Sequence, residues 1–173
     1  MRRPWAAIAL LGALWAAGCT TVAPDQRAAL SGRLALQIGA DGTTPARQWS
    51  AGFELRGTAQ SGELDLTSPL GTVVAQARWQ PDGAELVQGG ERQQFDSLSA
   101  LAQALLGEAV PLQALFDWLK GRPWPQQPHE PTPNGFSQAG WTVDLSALAA
   151  GGLTARRAKE PAITLRTRLD STP

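Results

Sequence analysis

The feature that most constrains this chain is an apolar alternation of period two that recurs from residue 31 to residue 169. Leu34, Leu36 and Ile38 alternate with Arg33, Ala35 and Gln37, and Ala51, Phe53 and Leu55 with Gly52, Glu54 and Arg56. Leu64 and Leu66 alternate with Glu63, Asp65 and Thr67, and Val73, Ala75, Ala77 and Trp79 with Val74, Gln76, Arg78 and Gln80. Successive side chains of a strand point to opposite faces, so each run is a strand with one apolar face. Turn-forming residues separate the runs at 40–45, 57–62, 68–71 and 81–83, which makes consecutive strands antiparallel hairpins. Two shorter strands around Leu86 and Phe95 flank Gly89 and Gly90. Strands resume at Trp141, Val143 and Leu145, at 153–157, and at Ile163, Leu165 and Leu169.

Between the two sets of strands the period changes to that of a helix. Leu98, Leu101, Ala102 and Leu105 share one face, behind Asp96 or Ser97 as N-cap and ahead of Gly107 as a stop. A second helix begins at Pro111, carries Leu112, Leu115, Phe116 and Leu119 on one face and ends at Lys120 and Gly121. Trp118 lies off that stripe, placed to line the rim of an interior or to cover the sheet edge. The five prolines of 123–133 predict an extended surface loop. The fold class that follows is mainly β with helices, α+β, in which a helical pair is available to plug the inside of a curved antiparallel sheet. Periodicity does not separate a filled barrel from a hollow one.

The first nineteen residues speak to compartment. Met1 to Arg3 carry two positive charges, Trp5 to Ala17 are apolar, and Ala16, Ala17 and Gly18 lead into Cys19, the pattern of a cleaved secretory signal over residues 1–18. The apolar run is about thirteen residues, short of the roughly 20 that span a bilayer. Cys19 behind small residues resembles the lipobox of bacterial lipoproteins, with Ala16 where Leu is usual. By that resemblance Cys19 receives a diacylglycerol thioether and becomes the mature N-terminus, residues 19–30 are a lipidated tether, and 31–173 form the domain. Thr20, where Asp would retain a lipoprotein in the inner membrane, implies the outer membrane. With only one Cys and one His, an internal disulfide and a thiolate zinc site are excluded and a histidine-rich metal centre is disfavoured. Fifteen basic residues against fifteen acidic ones leave no electrostatic footprint for nucleic acid.

The whole pattern resembles the LolB family, outer-membrane lipoproteins that receive other lipoproteins from the periplasmic carrier LolA. The resemblance is carried by SGRLAL at 31–36, FELRG at 53–57, GELDLTSPLGT at 62–72 and PLQALFDWLKG at 111–121, with recognisable stretches at DLSAL from 145 and LTARR from 153. It implies an open, incomplete antiparallel β-barrel of about eleven strands, with helices plugging the concave side over a hydrophobic cavity. The implied protein is a monomer without cofactor or metal, lipid-anchored in the outer membrane with its domain facing the periplasm. Its partners would be the carrier LolA, the acyl chains of cargo lipoproteins and the inner leaflet of the outer membrane. The acyl-chain cavity would draw on Leu34, Leu36, Phe53, Leu55, Leu64, Leu66, Val73, Trp79, Leu101, Leu105, Leu112, Leu115, Phe116 and Leu119; without the resemblance the same residues read as an ordinary packed core. Pro69, Leu70 and Gly71 would form a membrane-insertion loop. Pro69 and Gly71 suit a type I turn with Leu70 at its apex, the alternative being a leucine folded back over its own strands.

Three other classes compete. An enzyme is disfavoured: His129 sits among prolines, no G-x-S-x-G, P-loop or H-E-x-x-H occurs, and Glu63 and Asp65 suit solvation of an outer face better than acid–base work. A structural lipoprotein of an outer-membrane assembly machine would lack a chain-sized cavity. A periplasmic carrier of a small apolar ligand would prefer free fatty acid to an acylated peptide.

Overall fold

The computed structural model describes residues 29–42 and 44–170; the leader, Cys19 and nearly all of the tether lie outside them. Eleven strands form one antiparallel sheet. In chain order they are β1 (Leu30–Ile38), β2 (Arg47–Gly57), β3 (Gly62–Thr67), β4 (Val73–Gln80), β5 (Gly83–Gln88) and β6 (Glu91–Phe95). Helices α1 (Leu98–Leu106) and α2 (Leu112–Trp118) follow, then β7 (His129–Thr132), β8 (Gly135–Gln138), β9 (Trp141–Asp144), a short 3₁₀ turn (Leu148–Ala150), β10 (Gly152–Arg157) and β11 (Ile163–Leu169). The spatial order is β6-β5-β4-β3-β2-β1-β11-β10-β9-β8-β7. Two meanders are thus joined where the first strand pairs with the last, from Gly32 opposite Leu169 to Ile38 opposite Ile163. β6 and β7 are unpaired edges, so the barrel is open, as expected.

The alternation sets which face is buried. Ala75, Ala77 and Trp79 of β4 and Ile163, Leu165, Thr167 and Leu169 of β11 all turn inward and are buried. Val73 departs from the reading that placed it in this inward row. The β3–β4 register slips between Leu66 and Thr67, so that Leu66 opposes Ala75 while Thr67 opposes Val73. A bulge of this kind moves the following residue to the other face, and Val73 is 50% exposed. At the β5–β6 connection Gly89 and Gly90 have φ of +60° and +85°, the paired left-handed conformation a two-residue type I′ turn requires.

Both helices are where the periodicity puts them. Ser97 caps α1, its Oγ accepting the Ala100 N–H at 3.2 Å, and Gly107 closes it in the left-handed conformation with its N–H on the Gln103 carbonyl. Pro111 precedes α2. Helices of nine and seven residues are too short to be stable alone, so their order comes from packing. The chain runs from edge β6 to edge β7 through these helices, and their apolar faces cover the inner face of the sheet on the way.

The last part of that crossover corrects two expectations. Residues 123–133 are not all surface loop: His129–Thr132 is an edge strand on β8, with Pro131 opposite Phe136, an arrangement an edge tolerates because its outer side makes no ladder bonds. The preceding turn is clamped by Gln138, buried at 3% exposure. Its Oε1 accepts from Trp118 Nε1 and from the Trp124 N–H, both at 2.8 Å, and its Nε2 donates to the carbonyls of Trp124 and Gln127 at 2.7 and 2.8 Å. Trp118 is accordingly neither at a cavity rim nor over a sheet edge. It is fully buried, edge-on to Phe136 at 6.3 Å and tilted against Trp141 at 6.2 Å, because β8 and β9 close over the second side of α2.

Every strand, both helices and the entire buried core of the described residues fall within 30–169, so this segment carries its own folding energy. Gln138→Leu should destabilise it by about 2–4 kcal/mol, because the Trp118 N–H and the Trp124 groups lose their partners in a buried setting; urea unfolding measures the loss.

Candidate functional site

Inside the sheet, under the helices, lies a cavity lined by apolar side chains and one threonine. Leu34 and Leu36 of β1, Trp49, Phe53 and Leu55 of β2, Leu64 and Leu66 of β3, Trp79 of β4 and Leu165 and Thr167 of β11 form its wall. Leu106, Val110, Leu112, Leu115 and Leu119 form its roof, all supplied by one stretch of the crossover. Among the residues expected here, Leu101 and Phe116 are instead buried in packing beside it, Phe116 edge-on to Trp79 at 5.8 Å. Leu105 borders a separate groove with Pro69 and Val74, and Val73 is on the outside. Sequence reasoning missed Trp49, Leu106, Val110, Leu165 and Thr167. Trp49 continues the alternation of Ala51, Phe53 and Leu55 by one step, and Leu165 stands in a recognised strand; those signals were available.

The cavity holds about 30 Å³ of free space, against the roughly 300 Å³ or more of a typical ligand pocket. The interior is therefore closed, and the hollow chamber a bound acyl chain requires is not present in this conformation. Thr167 is the one polar residue on the wall, and its Oγ1 is buried with no hydrogen-bond partner.

The roof is fastened by charge. Glu108, in the α1–α2 connection, accepts from Arg157 Nη2 of β10 at 3.0 Å and lies 4.0 Å from Arg47 of β2. The Arg157 guanidinium also stacks 5.8 Å from the Trp141 ring and donates to the Pro161 carbonyl. One carboxylate thus ties the segment carrying Leu106, Val110 and Leu112 to two strands of the sheet, β2 and β10.

At one end of the sheet the β3–β4 hairpin presents the opposite surface. The Gly71 N–H bonds the Ser68 carbonyl at 2.9 Å and the Ser68 N–H the Thr72 carbonyl at 2.8 Å, with Gly71 at φ +82°. This is a type I turn completed by a left-handed glycine. It leaves Leu70 at the apex, 94% exposed, with Val73 and Val74 beside it at 50% and 43%, the exposed large hydrophobic side chains among the described residues.

The outer face of β2 to β6 is a ladder of cross-strand charge pairs. Glu63 holds Arg78 at 2.9 Å, Glu85 holds Arg92 at 3.0 Å, and Arg56 bridges Glu54 at 2.6 Å and Asp65 at 3.2 Å. The Glu54 hydrogen bond, then the attraction of Glu54 and Asp65, raises the Arg56 pKa above its ordinary value despite partial burial. Glu63 and Asp65 are thereby committed to arginines, consistent with solvation of an outer face.

The fold and site define an open antiparallel barrel whose apolar concave face is roofed by a helical crossover and whose rim projects an exposed leucine. The family described as "Outer membrane lipoprotein LolB" matches residues 26–165. The outer-membrane lipoprotein LolB of Bordetella pertussis is 35% identical over 149 residues, 80% of this chain and 74% of that protein. That of Bordetella petrii is 33% identical over 158 residues, 83% and 78% of the two chains, and that of Chromobacterium violaceum 30% over 122 residues, 70% and 64%. The chain belongs to the LolB family of lipid-anchored outer-membrane lipoproteins, which are lipoprotein-localisation factors rather than enzymes.

Two substitutions check this geometry. Thr167→Val keeps the shape and removes the unpaired hydroxyl, so it should stabilise the domain by about 1–2 kcal/mol in thermal unfolding. Glu108→Ala should cost about 2–3 kcal/mol, somewhat less than breaking a fully buried pair, because the Glu108 and Arg157 side chains keep 16% and 15% of their surface exposed. It should also speed amide exchange at 106–112 more than in the sheet.

Proposed function

We propose that this protein, anchored through a lipidated Cys19 and facing the periplasm, accepts lipoproteins from the carrier LolA by taking their acyl chains against the apolar inner face. It then inserts them into the inner leaflet of the outer membrane. The observation that carries the reading is Leu70, held 94% exposed at the apex of a tight turn on the same hairpin whose β3 strand lines the interior with Leu64 and Leu66.

The energetics need no nucleotide. A sixteen-carbon chain leaving water for an apolar site gains on the order of 10 kcal/mol at about 0.8 kcal/mol per CH₂, so cargo must pass from one apolar surface to another. Each handover needs only a modest difference in affinity, about 1.4 kcal/mol for a tenfold bias. Because the interior is closed, acceptance requires the roof of α1, α2 and their connection to move, with acyl chains replacing helix side chains against Leu34, Leu64 and Leu66. Leu70 entering lipid contributes roughly 1.5–3 kcal/mol, a reversible contact suited to delivery.

The test mixes LolA loaded with a lipoprotein and residues 20–173 of this protein, follows which of the two holds the cargo, and then adds vesicles. Direct handover is expected. Leu115→Gln, on the half-buried side of the roof, should lower acceptance. Leu70→Glu should accept cargo normally and deliver it at least tenfold more slowly; delivery at the normal rate would remove the insertion role.

A further inference from the structure

The outer face of the sheet is divided by charge. On β2 to β6 Arg56, Arg78 and Arg92 each hold a carboxylate. On β1, β10 and β11 the outward cations are Arg33, Arg156, Arg166 and Arg168, all exposed and none in an ion pair among the described residues. Arg166 bonds only the Gln37 amide oxygen at 2.7 Å. Asp144 is held below its ordinary pKa first by hydrogen bonds from Ser146 and then by the charge of Arg156, with no ion pair between Asp144 and Arg156 among the described residues. Arg33 and Arg168 stand directly opposite each other in the β1–β11 register, a like-charge placement that is unfavourable in a sheet and that an anion between them reverses.

The register also aligns this face with the exposed hairpin. Val73 opposes Thr67, Thr67 opposes Gly52, Gly52 opposes Arg33, and Arg33 opposes Arg168. Arg166 and then Arg156 lie one and two outward positions further toward the end from which Leu70 projects. A surface cleft of about 440 Å³ joins the two features, with Arg33 on one side, Pro69, Gly71 and Val73 on the other, and Gly52 between them. Glu54 and Asp65 on the same cleft share Arg56, which offsets one of their two charges, and Asp170 is a further carboxylate there outside an ion pair among the described residues, so the headgroup contacts fall to the arginines on β1, β10 and β11 rather than to the cleft floor.

We propose that the arginine face of β1, β10 and β11 binds the phosphates of anionic phospholipid headgroups, tilting the domain onto that side while Leu70, Val73 and Val74 enter the acyl layer. Apolar side chains beside arginines at one end of a domain are the layout of an interfacial anchor. An acidic protein would match the charge but not the apolar tip beside it. The proposal rests on the reading of Leu70 as the side chain that enters the bilayer.

Residues 20–173 are titrated with vesicles of phosphatidylcholine, alone and with phosphatidylglycerol mixed in, at low and high salt. Wild type should bind the anionic vesicles roughly tenfold or more tightly, with the advantage falling as salt rises. Arg33→Gln and Arg168→Gln should each lower that binding about fivefold and leave binding to neutral vesicles unchanged, while Arg92→Gln, on the paired side, should lose little. Indifference of wild type to phosphatidylglycerol overturns the proposal and assigns the face to a protein partner. An equal loss in Arg92→Gln overturns it in favour of net charge. Leu70→Glu separates the two readings: unchanged binding to neutral vesicles, with the arginine effects intact, removes the insertion reading and leaves the headgroup face standing.

Discussion

The rest of this structure depends on one constraint: a sheet with a continuous apolar inner face and two edges that do not meet. Closing the barrel would bury that face without help. Here β6 and β7 remain apart, so the inner row of Leu, Ala and Trp side chains has to be covered by something else, and among the described residues the crossover between the two edges does so. That explains why helices of nine and seven residues, which would be marginal alone, are ordered. It also explains why the polar contacts the crossover does make are concentrated. Glu108 ties its middle to β10 through Arg157 and Gln138 ties its far end to β8, while Ser97 fixes its start as the α1 cap.

A cover held by short helices and a few polar ties, at Glu108 and Gln138, differs in kind from a core. The sheet ladder is continuous through all eleven strands, whereas the roof lies over an interior with about 30 Å³ of free space and, among the described residues, makes no main-chain hydrogen bonds to the inner rows it covers. Exchanging the apolar contacts of Leu112, Leu115 and Leu119 for those of an acyl chain conserves buried apolar area. The free energy of such an exchange is therefore small beside that of exposing either surface to water. On the proposed reading a closed resting interior is an advantage, since an open greasy chamber would expose a large apolar patch between rounds of cargo.

The sequence reading of the fold was strongest where one physical rule acted alone. Period two placed most strands and the turn chemistry of Ser68 to Gly71 placed Leu70 at an apex; the shift to period 3.6, with Ser97 and Gly107 as stops, placed α1. It was weakest where a second rule intervened. Val73 continues the alternation perfectly on paper, but a bulge in β4 itself, where Leu66 opposes Ala75 and the next residue Thr67 already opposes Val73, turns it outward; period two carries no sign of the extra residue. The prolines at 123–133 argue for loop until one knows that β7 is an edge, which is a property of topology. Gln138 and Thr167 are polar residues facing inward, and alternation has no means of assigning them. Whether the interior is hollow or filled was never legible, because the same leucines describe a chamber and a packed core.

The interior and the rim are also less separate than their chemistry suggests. Leu64 and Leu66 line the cavity, and four residues further along the same hairpin stands Leu70, a distance of about 13 Å for an extended chain. Across from Thr67 the extra residue Val74 bulges β4 and turns the apolar series from the inner face to the outer one, leaving Val73 and Val74 at the surface instead of in the core. An apolar track thus continues from the cavity wall over the end of the sheet, with the polar groups of Ser68 and Thr72 consumed by the turn's own hydrogen bonds. On the proposed reading a hydrocarbon chain leaving along β3 follows the groove of Leu66, Pro69, Val74 and Leu105 past Thr67 and Ser68 to the hairpin apex. For that reason the slip that defeats the sequence pattern at Val73 is the structural feature that joins the proposed binding surface to the proposed exit.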